Sequence, residues 1–210
     1  TGRFISKMFM DMKVVCKYIC NMKIYKLNVM KKVLILSSSP RAHSNSDALS
    51  NEFMRGVADA GLHVEKISLR DKKVHPCIGC DICSSTDRPC PQKDDASYIV
   101  KAMIESDVIV MATPVYFYSM SAQMKALIDR CCGLYGKMND KVFYFIASAA
   151  EDDPHIMDRV VDSFRGFLDC LDNPVVAGTV FCGGVWHAGE IAGRPELQKA
   201  YEMGRSVAGR

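Results

Sequence analysis

Four cysteines lie within one short stretch of the chain, at spacings that suit a metal centre. Two residues separate each of the first three, six separate the third from the fourth, and a proline follows; they are Cys77, Cys80, Cys83 and Cys90. Four thiolates in one loop suit tetrahedral zinc or a 4Fe-4S cluster, and the Cys-Pro ending is typical of the cluster-binding run of ferredoxins. The pattern leaves three alternatives open: a 4Fe-4S cluster that accepts single electrons, reduced thiols without metal, and zinc.

A second set of polar residues lies between a predicted strand and a predicted helix. Residues 33–36 are apolar without the alternation of a half-buried strand, which predicts a strand buried on both faces of a parallel sheet. Asn45 or Ser46 is placed to cap the next helix, whose unpaired N–H groups and positive dipole end favour an anion. The loop is therefore a predicted anion site.

The donors in this serine-rich loop indicate which anion it would bind. The loop has neither the G-x-G-x-x-G of dinucleotide sites nor the G-x-x-x-x-G-K-[ST] of nucleoside triphosphate sites. Instead, short hydroxyl and amide side chains surround a single cation, Arg41; they are Ser37, Ser38, Ser39, Ser44, Asn45 and Ser46. Such donors suit a phosphate monoester such as that of FMN, with charge-assisted hydrogen bonds from the guanidinium. The alternative is an ordinary serine-rich turn with a solvated arginine.

The hydrophobic pattern predicts that strands and helices alternate along the chain. The predicted strands are residues 33–36, 63–69, 107–113, 141–147 and 174–182, and the predicted helices are residues 47–61, 94–105, 121–132, 154–171 and 195–207. This alternation predicts an α/β fold: a flavodoxin-like three-layer sandwich with a five-stranded parallel sheet in the order 2-1-3-4-5 and helices on both faces. In such a sheet, ligands bind beyond the carboxyl ends of strands 1 and 3, where the serine-rich loop and an aromatic loop begin.

The aromatic loop, residues 113–118, suits a flat heteroaromatic ring. Pro114 stiffens it, and Tyr116, Phe117 and Tyr118 follow where such a ring would lie if its phosphate were anchored at Arg41. The aromatic side chains alternatively pack against a neighbouring subunit, and the two roles are compatible. Because they exceed what one ring covers, we predict a homo-oligomer, either a dimer or a tetramer.

Three motifs together resemble one known family. Ser-Ser-Pro-Arg-x-x-Ser-Asn-Ser (residues 38–46), Thr-Pro-Val-Tyr-Phe (113–117) and Ser-Ala-Gln-Met-Lys-Ala-Leu-Ile-Asp-Arg (121–130) are similar to the NADPH-dependent FMN reductase branch of the flavodoxin-like superfamily, over residues 31–210. The resemblance implies FMN as the cofactor and NAD(P)H as the co-substrate. It also implies phosphate contacts from Ser39, Arg41, Ser44, Asn45 and Ser46, and contacts to the isoalloxazine ring from Pro114, Val115, Tyr116, Phe117, Ser119 and, at its far edge, Ser148.

The cysteine set resembles the iron-sulfur flavoproteins, a subgroup of the same superfamily. The combined resemblance implies an FMN-dependent NAD(P)H oxidoreductase that passes electrons to a small-molecule or protein acceptor, with a 4Fe-4S cluster on Cys77, Cys80, Cys83 and Cys90. Because FMN performs the chemistry, no catalytic side chain is expected. Two alternatives are a non-enzymatic iron-sulfur flavoprotein electron carrier, and a structural or regulatory module with zinc and no flavin.

The charge distribution excludes some partners. The chain of 210 residues has a formal net charge of +3, but residues 1–30 hold six Lys or Arg against one Asp, so the remainder carries −2. That balance gives no case for nucleic acid as a partner. Residues 1–30 have neither the apolar core of a signal peptide nor a membrane span. We therefore expect no membrane association, and interpret them as a basic leader outside the domain formed by residues 31–210.

The other cysteines and one tryptophan complete the predictions. Ten cysteines without a secretory signal favour reduced thiols and a cytoplasmic protein. Trp186 either caps the flavin pocket or fills a hydrophobic gap. Helical and strand patterns predict small core residues at Cys131, Cys132, Cys170 and Cys182.

Overall fold

The sheet of the computed structural model has the predicted architecture. Its strands are β1 (Lys32–Ser37), β2 (His63–Ser68), β3 (Val108–Pro114), β4 (Val142–Ser148) and β5 (Val175–Cys182). They pair in parallel in the order β2-β1-β3-β4-β5, which confirms the flavodoxin-like fold class. The structure describes residues 31–85 and 90–210, so the predicted leader at residues 1–30 lies outside the described residues.

Helices cover both faces of this sheet. They are α1 (Asn45–Asp59), α2 (Ile82–Ser85), α3 (Ala96–Glu105), α4 (Ala122–Asp129), α5 (His155–Leu168) and α6 (Pro195–Arg205). In β1, Val33 and Ile35 pack on the side of α1 and α6, whereas Leu34 and Leu36 pack on the side of α3, α4 and α5. Burial on both faces explains why this strand has no polar alternation. Within the described ranges, no helix is long and apolar enough to span a membrane.

Two glycines allow α1 and α6 to approach each other closely. A Cβ atom built on Gly56 would lie 2.1 Å from the backbone oxygen of Tyr201. A Cβ atom on Gly204 would lie 2.2 Å from the backbone oxygen of Phe53. Because backbone atoms cannot rotate away as a flexible side chain can, any larger residue would force the two helices apart.

Gly56→Ala is therefore expected to lower the free energy of unfolding by about 1–3 kcal/mol, the usual range for an overpacked core. Gly166→Ala is a matched control, since Gly166 is exposed on α5 and a Cβ atom added there would have no other atom within 4 Å. Alanine there should stabilise the protein by up to about 1 kcal/mol. Urea denaturation measures both changes, and a Gly56→Ala protein as stable as the wild type would contradict the close packing.

Two helices end earlier than the apolar pattern predicts. α4 ends at residue 129 and α5 at residue 168, against predicted ends at 132 and 171. Cys132 and Cys170 lie beyond these ends and are exposed, so the prediction that they are core residues is wrong. The helical period that would have turned them inward no longer applies there. Cys131 and Cys182 are buried, as predicted.

Candidate functional site

Buried hydroxyl groups join the serine-rich loop to the start of α4 at the carboxyl edge of the sheet. The Ser38 hydroxyl donates to the backbone oxygen of Ala112 at 3.1 Å and lies 2.9 Å from the Ser121 hydroxyl. The Ser121 N–H in turn donates to Oγ1 of Thr113 at 2.9 Å. The ends of β1 and β3 are thus held together at the position where this fold binds its ligands.

The first turn of α1 has the features of an anion site. Ser44, rather than the predicted Asn45 or Ser46, caps the helix, because its hydroxyl oxygen accepts a hydrogen bond from the Asp47 N–H at 3.2 Å. The Ser46 hydroxyl is buried and has no hydrogen-bond partner within the described residues. The backbone N–H groups at this helix N-terminus fit a phosphate group.

Two predicted phosphate ligands also hold the loop that follows β5. The Asn45 amide nitrogen donates to the backbone oxygen of His187 at 2.9 Å, and its oxygen accepts from the Gly189 N–H at 3.1 Å. Nη1 of Arg41 donates to the backbone oxygen of Trp186 at 2.7 Å. The serine-rich loop therefore positions Trp186, a role that the sequence did not predict for Asn45 or Arg41.

Two adjoining cavities lie at this edge of the sheet. The narrow cavity has a volume of about 110 Å³, and most of the predicted FMN contacts line it: Ser39, Arg41, Ser44, Asn45, Pro114, Val115, Tyr116 and Ser148. The wide cavity, of about 420 Å³, is lined by Phe117 and shares Val115, Tyr116 and Trp186 with the narrow one. Ser46 and Ser119 are not among the lining residues of either cavity.

Trp186 lines both cavities and is 64% exposed, so it does not fill a hydrophobic gap. The narrow cavity has hydroxyl, amide and guanidinium groups in its lining, and it adjoins a wide, more apolar cavity. This pair matches a ligand with an anionic tail and a flat aromatic head. The residues present therefore fit FMN.

The aromatic loop is a tight turn with an unusual backbone. Tyr116 and Ser119 exchange backbone hydrogen bonds of 3.0 and 3.1 Å, and the two residues between them have positive φ angles, 50° for Phe117 and 61° for Tyr118. This is the geometry of a type I′ turn, which bulky residues rarely adopt. The turn leaves the Phe117 side chain fully exposed at its tip.

Contacts of Tyr118 stabilise this strained turn. The Tyr118 hydroxyl donates to Oε1 of Glu151 at 3.1 Å, and the Arg159 guanidinium lies 4.8 Å from the centre of the Tyr118 ring. The hydrogen bond to Glu151 raises the pKa of the Tyr118 hydroxyl above its usual value. The surrounding side chains thus fix a backbone conformation that the turn would not favour by itself.

The four predicted metal ligands lie in one loop, and they differ in how far they are exposed. Cys77 and Cys80 are exposed, whereas Cys83 and Cys90 are half-buried. A Cβ atom on Gly133 would lie 2.6 Å from that of Cys83, so only glycine leaves room for this cysteine. Burial, and then the neighbouring thiols, raise the pKa of Cys83.

The described residues contain no group of three His, Cys, Asp or Glu side chains already arranged to hold a metal ion. The donor set nevertheless suits a thiolate-ligated group by its chemistry, because four cysteines belong to one loop and Gly133 leaves room for one of them, Cys83.

A buried ion pair lies at the base of the cysteine loop. Both nitrogen atoms of the Arg130 fork contact the Asp94 carboxylate, at 2.6 and 3.0 Å, and each side chain is only 1% exposed. Arg130 also donates to the backbone oxygen of His75 at 2.9 Å and to Sγ of Cys90 at 3.3 Å. Burial alone would raise the pKa of Asp94, but hydrogen bonds from Arg130 and backbone N–H groups outweigh it and lower the pKa.

Comparison with known proteins identifies the family. Residues 31–187 match the family of NADPH-dependent FMN reductases. The chain is 44% identical over 99 residues to an iron-sulfur flavoprotein of Methanocaldococcus jannaschii, an alignment that covers 47% of this chain and 51% of that protein. It thus spans about half the length of that relative. An iron-sulfur flavoprotein of Archaeoglobus fulgidus is 31% identical over 188 residues, which cover 85% of this chain and 79% of that protein.

A solved structure supports the fold. The NAD(P)H:quinone oxidoreductase from Methanothermobacter marburgensis has a TM-score of 0.68 at 19% identity, and the match covers 85% of this chain and 98% of that one. At this identity the likeness concerns the fold alone. The family match contains the serine-rich loop, the aromatic turn and the cysteine loop. The chain belongs to the NADPH-dependent FMN reductase family and, within it, to the iron-sulfur flavoprotein subgroup.

Proposed function

We propose that the protein takes electrons from NAD(P)H through bound FMN and passes them to a small-molecule or protein acceptor by way of a 4Fe-4S cluster. The observation that best supports this is the pair of adjoining cavities, of about 110 and 420 Å³, at the carboxyl edge of the sheet. The cysteine loop leaves the same edge after β2. Flavin and thiolate groups would thus be supplied from neighbouring loops of one domain.

Different residues would hold the phosphate and the ring of FMN. Ser39, Ser44 and the N–H groups at the start of α1 would bind the phosphate, with Arg41 as the cation that balances its charge. Tyr116 and Trp186 would flank the ring from opposite loops. FMN, when bound, supplies hydride acceptance from a nicotinamide, and a cluster supplies single-electron transfer. The nicotinamide would enter the wide cavity beside the ring.

Anaerobic mixing of the FMN-loaded protein with NADH or NADPH in a stopped-flow instrument tests the enzymatic function. Rapid bleaching of the flavin absorbance is expected with at least one of the two nucleotides, because a reductase must leave one ring face accessible. An electron carrier would be reduced only by a protein donor or by dithionite. Slow bleaching with both nucleotides would therefore contradict the enzyme and favour the carrier.

Arg41→Ala is expected to weaken FMN binding by roughly 10- to 150-fold, the effect of losing charge-assisted hydrogen bonds of about 1.5–3 kcal/mol. Fluorescence titration of the flavin-free protein with FMN measures the change. Arg55→Ala is the control, because Arg55 is an exposed cation of α1 that pairs with Glu52 and lines neither cavity. Wild-type affinity in the Arg41 variant would mean that the phosphate lies elsewhere.

We also propose a cytoplasmic homo-oligomer. Phe117 is fully exposed at the tip of its turn, and Trp186, Tyr116 and Tyr118 are exposed around the wide cavity, so these side chains form an apolar surface that suits a partner subunit. The described cysteines are all unbridged thiols, which suits a reducing compartment. Light scattering tests the assembly, and a dilute monomer that retains FMN would contradict it.

A further inference from the structure

We propose that Arg130 is a positioning residue for the cluster: it holds Cys90 in place and raises the reduction potential of a cluster bound in the cysteine loop. This inference rests on the proposed cluster and deepens it, because it names a residue outside the four-cysteine pattern that regulates electron flow. Arg130 directly follows α4, at its C-terminal end. It lines neither FMN cavity.

Arg130 links the two ends of the cysteine loop. Nη1 contacts the backbone oxygen of His75, two residues before the first cysteine, and Nη2 contacts Sγ of Cys90, the last cysteine. The same guanidinium forms a two-pronged ion pair with Asp94, whose carboxylate also accepts the His75 N–H at 2.9 Å. Both ends of the cysteine loop therefore contact one buried guanidinium, and the planar geometry of that group fixes the directions of its hydrogen bonds.

The contact with Cys90 has an electronic consequence. Hydrogen bonds to the sulfur atoms are among the factors that set the potential of an iron-sulfur cluster. Reduction adds negative charge to the thiolate-ligated group, and a cationic N–H donor 3.3 Å from one sulfur stabilises that charge. The Nε atom of Arg130 is also buried and has no hydrogen-bond partner among the described residues, so a further donor remains beside the loop.

The alternative is that Arg130 is only a structural link whose loss would loosen the loop. A structural role predicts weaker cluster retention but no systematic change in the potential of the clusters that remain. A positioning role predicts that the reduction potential of the cluster falls when the cationic donor of residue 130 is removed. The potential should fall less when lysine keeps the positive charge there. The reduction potential thus separates the two roles.

The test is redox titration of the anaerobically purified, FMN-loaded wild type and two variants, followed by the cluster signal in electron paramagnetic resonance. Arg130→Gln is expected to favour the oxidised cluster at least tenfold, which corresponds to a potential about 59 mV lower for a one-electron couple. Arg130→Lys keeps the charge without the fork and is expected to show a smaller shift in the same direction. Lys125→Gln removes an exposed cation from α4, where Lys125 pairs with Asp129, and should leave the potential unchanged.

Each outcome decides the inference. If Arg130→Gln does not fold or retains no cluster, the shift in Arg130→Lys decides. Wild-type potentials in the cluster-containing variants would overturn the role of Arg130 while leaving the proposed function intact. An equal shift in Lys125→Gln would overturn it too, because a general loss of charge would then explain the change. Wild-type protein that contains FMN but no iron would instead refute the proposed cluster, and this inference with it.

Discussion

Asp94→Asn is expected to lower the free energy of unfolding by about 3–5 kcal/mol, since it leaves a buried guanidinium without its counter-ion. Both Asp94 and Arg130 are 1% exposed, and the shorter contact between them is 2.6 Å. The carboxylate also accepts N–H groups from His75 and Ala96, so the substitution affects both ends of the cysteine loop. Urea denaturation of the purified variant and wild type at neutral pH measures the loss.

Asp129→Asn provides the matched control for this prediction. Asp129 is an acid at the end of α4 that pairs with Lys125 at 2.5 Å, but both side chains are largely exposed. An exposed pair four residues apart on a helix contributes only about 0.3–0.5 kcal/mol. If the two substitutions destabilised the protein equally, the burial of the Asp94 pair would not be the cause.

The same ion pair predicts a pH dependence with a definite sign. The pKa of Asp94 in the folded protein lies below its ordinary value of 3.8, so folding favours the ionised carboxylate. Its contribution to stability is complete above about pH 4 and is lost as the pH falls through the lowered pKa of the folded state. The difference in unfolding free energy between wild type and Asp94→Asn should therefore narrow below pH 3.8. A difference that grew on acidification would contradict the lowered pKa.

The sheet was predictable because its determinants are local. Apolar runs such as residues 33–36 and 107–113 predict buried strands, and Pro114 is the last residue of β3. The strand order followed from the preference of alternating strands and helices for one doubly wound arrangement. The helix ends were less predictable, because the apolar period continues past the last residue of α4 and of α5. Extending the helices to follow that period wrongly placed Cys132 and Cys170 in the core.

The candidate site was predictable only as far as residue type could indicate a role. Arg130 and Asp94 lie 36 residues apart, next to the ends of different helices, and each one alone has the appearance of a solvated charge at a helix end. Asn45 suits a cap or a phosphate ligand by type, but its amide bonds to a loop 142 residues later in the chain. Neither of these long-range contacts can be predicted from the residues next to it in the sequence.

The aromatic loop shows a different limit of sequence interpretation. Its composition predicted that it contacts either a flavin ring or a partner subunit. The positive φ angles of Phe117 and Tyr118 could not be predicted, because bulky residues usually avoid them. The contacts of Tyr118 with Glu151 and Arg159 stabilise that backbone, and both partners lie beyond β4. Only tertiary structure could therefore reveal the turn that exposes Phe117.

Cys80→Ser is expected to abolish iron binding and leave FMN in place. A cubane cluster on four thiolates requires about four iron and four sulfide per chain, and a serine hydroxyl does not supply the missing thiolate. Cys80 lines neither FMN cavity, and the fold has no buried contact with it to lose because the side chain is exposed. Iron, sulfide and flavin analysis of the anaerobically prepared wild type and variant measures each component separately.

Cys132→Ser is the control that makes this prediction specific. Cys132 is exposed and precedes Gly133, where an added Cβ atom would lie 2.6 Å from that of Cys83, so it lies beside the cysteine loop. It stands outside the four-cysteine spacing, so its serine variant should keep the full complement of iron. Iron retained in Cys80→Ser but lost from Cys132→Ser would make Cys132 the ligand in place of Cys80. The ligand set predicted from the spacing would then be wrong, although the loop would still hold a cluster.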